Sequence, residues 1–287
     1  MVVLAKIKQP EQFRCRFIWH QLFISKKIGE NQYEYSRSGN PTREAVEKLI
    51  AELEVGTAGF AFASGSAAID TVFSMFSAGD HFVIGNDVYG GTFRLIDAVL
   101  KRFGMTFTVV DTRDLAAVEE AITPNTKAIY LETPTNPLLR VTDIVAVAKI
   151  AKSHQILSII DNTFSSPYVQ RPLEQGVDIV LHSASKYLGG HSDVIAGLVV
   201  TKDDQLAEKK LVTFKMPLVV FWPLRKVGYC NVGLKRCLFE CVLIWPMPKP
   251  SSIICQTSHL SAKFTTLAIR TTLITKSPKN KCTALAQ

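Results

Sequence analysis

From residue 31 to residue 210 the chain has neither cysteine nor tryptophan; the six cysteines and three tryptophans of its 287 residues all lie outside that stretch. Cys230, Cys237 and Cys241 make no CxxC pair and have no second pair at zinc-site spacing, so a structural zinc module is not indicated. No apolar run approaches the roughly 18 residues of a membrane span. The apolar stretch in the opening MVVLAKIKQP is too short for a secretory signal, so a cytoplasmic protein without membrane contact is expected. GxGxxG is missing, and so is the GKS or GKT of a P-loop, which removes the two commonest nucleotide fingerprints. Acids are scarce at the ends. Residues 211–287 hold 11 Lys and Arg against the single acid Glu240, and residues 1–30 hold 6 against Glu11 and Glu30. The formal net charge of +8 is therefore a property of the termini, the middle is net acidic, and no nucleic-acid partner is expected.

The middle shows what the ends do not, a regular change of period. After GNPT, the segment REAVEKLIAELE places Val46, Leu49, Ile50 and Leu53 on one helical face, with Thr42 in position to cap it. GFAFA, HFVIGN, TFTVV, KAIYLE, ILSIID and VDIVLHS read as short, β-branched, buried strands. Between them, SGSAAIDTVFSMF turns into a helix, YGGTFRLIDAVLKRFG carries a stripe of Leu95, Ile96, Val99, Leu100 and Phe103, and helical patterns cover about 114–121 and 142–152. Such alternation implies an α/β fold, a mostly parallel sheet with helices on both faces and ligands at the carboxyl ends of the strands. Residues 33–210 form this domain. Residues 1–32 read as an aberrant N-terminal arm and 211–287 as an aberrant tail, whose prolines interrupt apolar runs of no fixed period. A shifted reading frame or loss from a longer gene is the expected origin of both ends, which the coding DNA tests.

The strand-end rule gathers a particular set of side chains. Gly65 and Ser66 open a helix straight after GFAFA, which offers free amides at the positive end of a helix dipole and suits a phosphate. Asp87 and Tyr89 follow HFVIGN, Asn136 follows KAIYLE, Asp161 closes ILSIID, and Ser183, Ser185 and Lys186 follow VDIVLHS. Each has an ordinary reading by itself: a packed Gly-Ser turn, a stacked aromatic, a turn-forming Asn, a capping Asp, a solvated Lys. Together, a phosphate cradle, an aromatic face, a buried carboxylate and a lysine at one sheet edge describe a pyridoxal phosphate site. Lysine supplies an imine to the cofactor aldehyde, the carboxylate keeps the pyridine nitrogen protonated, and the aromatic ring stacks on the cofactor.

The motifs YSRSGNPT (35–42), FASGSAAI (62–69), DVYGGTFRL (87–95), LETPTNPLL (131–139), DNTF (161–164) and HSASKYLGGHSDVIAG (182–197) resemble, in order and spacing, those of the Cys/Met-metabolism enzymes that depend on pyridoxal phosphate. That family includes cystathionine γ-synthase, cystathionine β- and γ-lyase and methionine γ-lyase. The resemblance covers residues 33–210 and implies the large domain of a fold-type-I PLP-dependent transferase, with the C-terminal small domain missing after it. It makes Lys186 the cofactor-linking lysine and proton carrier, Asp161 the partner of the pyridine nitrogen, and Tyr89 the stacking ring that assists proton transfer. Gly65, Ser66, Ser183 and Ser185 bind phosphate, and Asn136 faces the cofactor's phenolic oxygen. Tyr35 and Arg37 reach the phosphate of a neighbouring subunit, so self-association as a dimer or tetramer is implied. The expected chemistry is the making or breaking of C–S bonds in cystathionine-, homocysteine- or cysteine-type amino acids, by elimination or replacement at the β or γ carbon. The sequence shows no counterpart of the family's carboxylate-gripping arginine after residue 210, because Arg225, Arg236 and Arg270 lie in unrelated contexts. A catalytically inactive fragment of such an enzyme is therefore the alternative expectation.

Overall fold

A computed structural model of the chain describes residues 39–207 together with Leu211. The N-terminal arm, Tyr35, Arg37 and the tail beyond Leu211 lie outside the described residues, as do the readings made for them. Seven strands, β1 (Ala58–Phe62), β2 (His81–Gly85), β3 (Thr106–Val110), β4 (Thr126–Glu132), β5 (Leu157–Asp161), β6 (Ile179–Ser183) and β7 (Gly197–Thr201), make one sheet in the order β1-β7-β6-β5-β4-β2-β3. The pairings β6–β5, β5–β4, β4–β2 and β2–β3 are parallel, whereas β7 runs antiparallel to both β1 and β6. The mostly parallel sheet is as expected, but β7 was not. GLVVT is a five-residue run that follows a glycine-containing turn, and although β6 directly precedes it, its other partner, β1, is far away in sequence.

Helices α1 (Pro41–Glu54), α2 (Gly65–Phe73), α3 (Gly90–Ala98), α4 (Leu115–Glu120) and α5 (Ile144–Ser153) connect and cover the strands, with the short turns α6 (Ser166–Val169) and α7 (Asp204–Leu206) near the end of the domain. Asn40, not Thr42, caps α1: its extended backbone places the side-chain oxygen to accept from the amides of Thr42 and Arg43 at 2.9 and 3.3 Å. Pro41 explains the shift, since it brings a helical φ and no N–H to the first helical position. Val46 and Ile50 are buried and Leu49 and Leu53 pack beside them.

In α3 the predicted stripe holds for Ile96 and Leu100 but leaves Val99 41% and Phe103 65% exposed. The α-helix stops at Ala98 and a 3-10 turn, Leu100–Phe103, tightens the winding, so positions beyond it no longer share the stripe's face.

Alternation along the strands sorts the core into two layers. Ile129, Leu131, Ile160, Val180, Leu198 and Val200 pack with α1 and α5 on one face. Ala128, Tyr130, Ile159, Ile179, Leu181 and Val199 pack with α2 and the Phe73–Phe82 edge-to-face pair (5.1 Å between centroids) on the other. After β2 the chain moves outward to β3; after β4 it moves the opposite way, to β5 and β6. The carboxyl ends of β2 and β4 therefore flank the point where the winding reverses, which is where open α/β sheets form their crevice.

Candidate active site

Three consecutive carboxyl ends in the sheet, those of β6, β5 and β4, close on Ser183, Asp161 and Glu132. Asp161 is 6% exposed and shares its face of the sheet with Ile159, which points it toward α2 and α3 rather than toward α1. Burial raises the Asp161 carboxyl above the ordinary carboxylate value, opposed by the hydroxyl and amide of Thr163, the nearby His182 and the Tyr130 hydroxyl. Thr163 donates both its amide (3.0 Å) and its hydroxyl to Asp161 Oδ1. The same hydroxyl accepts from the Ser183 amide at 2.8 Å and so ties β5 to β6. Beyond the nearby His182, which pairs with Glu54, Asp161 makes no ion pair among the described residues, and a cationic guest would relieve the cost of burying this acid.

Gly65 lies against Ser183. A Cβ built on Gly65 would sit 2.9 Å from both Cβ and Oγ of Ser183, so a side chain at this position would fill the space between the two turns. Ser64 caps α2 by accepting from the Ala67 amide at 3.1 Å. The amides of Gly65 and Ser66 precede the first intrahelical bond and are left to an outside acceptor, with Ser66 exposed. Gly197 of β7 lies so close to the Ser64 carbonyl that a Cβ there would collide with it, so β7 fixes the position of this turn. The predicted phosphate residues Gly65, Ser66 and Ser183 are thus brought together. Ser185 differs: its hydroxyl donates to the Ala196 carbonyl (3.3 Å) and accepts from the Ala196 amide (3.0 Å), which pins the turn to the start of β7. Lys186 follows in that turn, its amide on the Ser183 carbonyl at 3.1 Å and its side chain exposed.

Tyr89 precedes α3 and is 51% exposed, its ring against Gly91, where any side chain would collide with it. Its backbone amide donates to Glu132 Oε2 at 2.8 Å. The loops after β2 and β4 are further joined by the Thr135 hydroxyl on Asp87 (2.6 Å) and by Arg140 on Asn86 (3.3 Å). Asn136 is exposed in the second of these loops.

Three features escaped the sequence reading. Glu132, 3% exposed, is the register partner of Asp161, and its carboxyl is pushed up to about 8, by burial first and then by the Asp161 charge. Glu132 closes KAIYLE just as Asp161 closes ILSIID, so the rule that selected one selects the other. Thr163, two residues past Asp161 in DNTF, orients that carboxyl and carries no local signal of doing so. Behind the sheet, fully buried Glu54 accepts from Asn162 Nδ2 (2.8 Å) and pairs with His182 Nε2 (2.6 Å), while Gln170 holds the Asn162 oxygen at 2.8 Å. Glu54 and His182 are 128 positions apart, so no local pattern signals that pair.

A model of the Cys/Met metabolism PLP-dependent enzyme family matches residues 6–231. Cystathionine gamma-lyase of Bacillus subtilis is 60% identical over 184 residues, 64% of this chain and 48% of its own length. Cystathionine beta-lyase of Lactococcus lactis subsp. cremoris is 58% identical over 176 residues, 61% of this chain and 46% of its own. The B. subtilis cystathionine gamma-synthase/O-acetylhomoserine (thiol)-lyase is 52% identical over 183 residues, 63% of this chain and 49% of its own. Among solved structures, cystathionine gamma-lyase from Lactobacillus plantarum complexed with L-serine superposes with a TM-score of 0.77 at 67% identity, covering 78% of this chain and 58% of that one. The chain spans about half the length of the curated relatives it matches.

Proposed function

The chain belongs to the Cys/Met metabolism PLP-dependent enzyme family, and from that membership we propose that it binds pyridoxal 5′-phosphate and forms or cleaves C–S bonds of cystathionine-, homocysteine- or cysteine-type amino acids. The observation that carries this reading is the buried Asp161 carboxyl, with no ion-pair partner among the described residues, joined through Thr163 to the Ser183–Gly65 contact. An acid needing a cation and a turn needing an anion stand together, and a phosphorylated pyridinium satisfies both.

When bound, this cofactor supplies an electron sink for negative charge developing at the α carbon of an amino acid. The protein does the rest. The amides of Gly65 and Ser66 and the hydroxyls of Ser183 and Ser185 hold the phosphate, with Ser185 turning from its Ala196 contacts to do so. Asp161, oriented by the two Thr163 donors, keeps a proton on the ring nitrogen. Tyr89 covers the ring, and Asn136 faces its phenolic oxygen. Lys186 anchors the cofactor through its amine and moves protons between substrate carbon atoms. In the same reading the chain works as a cytoplasmic dimer or tetramer, with Tyr35 and Arg37 reaching the phosphate of the neighbouring subunit.

The test is a titration of the purified chain with pyridoxal phosphate. Wild type is expected to develop the visible absorbance of a lysine-bound cofactor and to release a thiol from cystathionine, and Lys186→Ala to do neither. A folded wild-type protein without that absorbance overturns the proposal.

A further inference from the structure

Tyr89 is 51% exposed, and it sits on a loop with glycines at both positions after it. Stacking requires its ring to stay in one place, yet α3, which begins at the next residue, receives no side-chain cap from Tyr89. The loop is instead held from the neighbouring strand end. Glu132 Oε2 accepts from the Tyr89 amide at 2.8 Å, and two residues earlier Asp87 accepts from the Thr135 hydroxyl at 2.6 Å. Glu132 lies on the same face of β4 as Tyr130, Asp161 lies on the same face of β5 as Ile159, and the two acids are register partners. Neighbouring strands are ~4.8 Å apart, so the group that holds the Tyr89 loop stands beside the group assigned to the pyridine nitrogen.

Resting on the cofactor reading above, we propose that Glu132 is a positioning residue that fixes the Tyr89 ring over the cofactor by holding the Tyr89 amide from the end of β4. Holding a loop requires only an acceptor, which a neutral amide also provides. An acid beside Asp161 and near Asp87 bears the cost of burial and of like charge, and its carboxyl is accordingly raised to about 8. Such a residue is costly as a mere helix cap. Its place between the stacking ring and the pyridine-nitrogen acid gives it a function that a cap elsewhere on α3 would not have.

The experiment uses the full chain, first without cofactor and then titrated with pyridoxal phosphate. Glu132→Met removes the acceptor at nearly constant volume, and Glu132→Gln keeps an acceptor without charge. In the cofactor-free protein, amide hydrogen exchange at Tyr89 is expected to speed up at least about tenfold in Glu132→Met and to stay within about threefold of wild type in Glu132→Gln. Pyridoxal phosphate affinity, read from the visible absorbance, is expected to fall about tenfold in Glu132→Met, the size of a lost aromatic stacking contact, and to be restored in Glu132→Gln. Because Glu132 acts through Tyr89, adding Glu132→Met to Tyr89→Ala is expected to weaken binding no further. Additive losses overturn the proposal. So does a wild-type Tyr89 amide that exchanges as fast as an unstructured one, a result that needs no variant to fold. Absence of cofactor binding by wild type would sink the cofactor reading instead, and the exchange measurement without cofactor would still decide whether Glu132 holds the loop.

Discussion

Alkaline pH should weaken this domain through one side chain. Glu132 is nearly inaccessible to water and faces Asp161 across the β4–β5 register, and together these lift its carboxyl from 4.5 to about 8. In the unfolded chain it ionises near the ordinary value, so from about pH 4.5 to about pH 8 the native state binds the extra proton and stability falls as pH rises. At ~1.4 kcal/mol per pH unit the full cost above pH 8 is at most roughly 5 kcal/mol, of which about 3 kcal/mol accumulates between pH 5.5 and pH 9. Asp161, also raised, acts in the same direction, whereas burial lowers His81, which costs stability only on the acid side of its ordinary 6.5. Comparison with Glu132→Gln cancels both. Urea unfolding of the cofactor-free protein, followed by far-UV circular dichroism at pH 5.5 and 9, should show wild type losing about 2–3 kcal/mol more than the variant. At ~2 kcal/mol per molar urea this separates the midpoint shifts by more than 1 M. If the two proteins lose stability in parallel, to within about 1 kcal/mol, Glu132 does not hold a raised proton and the account of the paired strand ends is wrong.

Gly65→Ala puts a methyl group 2.9 Å from the Ser183 Cβ and Oγ; it should cost about 1–3 kcal/mol of stability and lower pyridoxal phosphate affinity at least tenfold by direct titration. Ser183→Gly in that background should recover stability, and no recovery would mean that the clash lies elsewhere. Glu54→Ala leaves His182 and Asn162 without their common buried acceptor and should cost about 3–5 kcal/mol by urea unfolding, with a loss under 1 kcal/mol refuting a structural role for the pair.

The sequence made legible what depends on local period and on strand ends. Val46 and Ile50 lie one helical turn apart and are both buried, and the acid that closes ILSIID is buried at the sheet's carboxyl edge as its apolar strand requires. Pairing across long separations was not legible. β7 runs between β1 and β6 and fixes the Ser64 turn through Gly197, yet GLVVT has nothing in it that specifies an antiparallel slot. Competition for one group also escaped local reasoning. Thr42 has a capping hydroxyl, but Asn40 with Pro41 after it wins the helix start, and Ser185 has a free-looking hydroxyl that Ala196 engages on both sides. Phe103 missed its stripe because it ends a tighter 3-10 turn that starts at Leu100, so it no longer falls below Leu100 on the buried face.

Two buried acids on adjacent strand ends cannot both be charged at little cost, so the surroundings must decide which one ionises. Asp161 receives two hydrogen bonds from Thr163 and is further favoured as an anion by His182 and the Tyr130 hydroxyl. Glu132 receives backbone amides from Tyr89 and Asn136 and faces the charges of Asp161 and Asp87. Donors and a nearby imidazole favour charge at Asp161, and like charge disfavours it at Glu132. The division of labour follows from this asymmetry: the strand end fitted to meet a pyridinium carries the charge, and its neighbour, keeping its proton up to about pH 8, is left to hold the Tyr89 loop. Environments that push two carboxyl pKa values apart are how one site assigns an anion and a neutral acid at the same pH. Here Thr163 and the nearby His182 favour the anion at Asp161, while burial and the charges of Asp161 and Asp87 outweigh the two amides at Glu132 and keep its proton on.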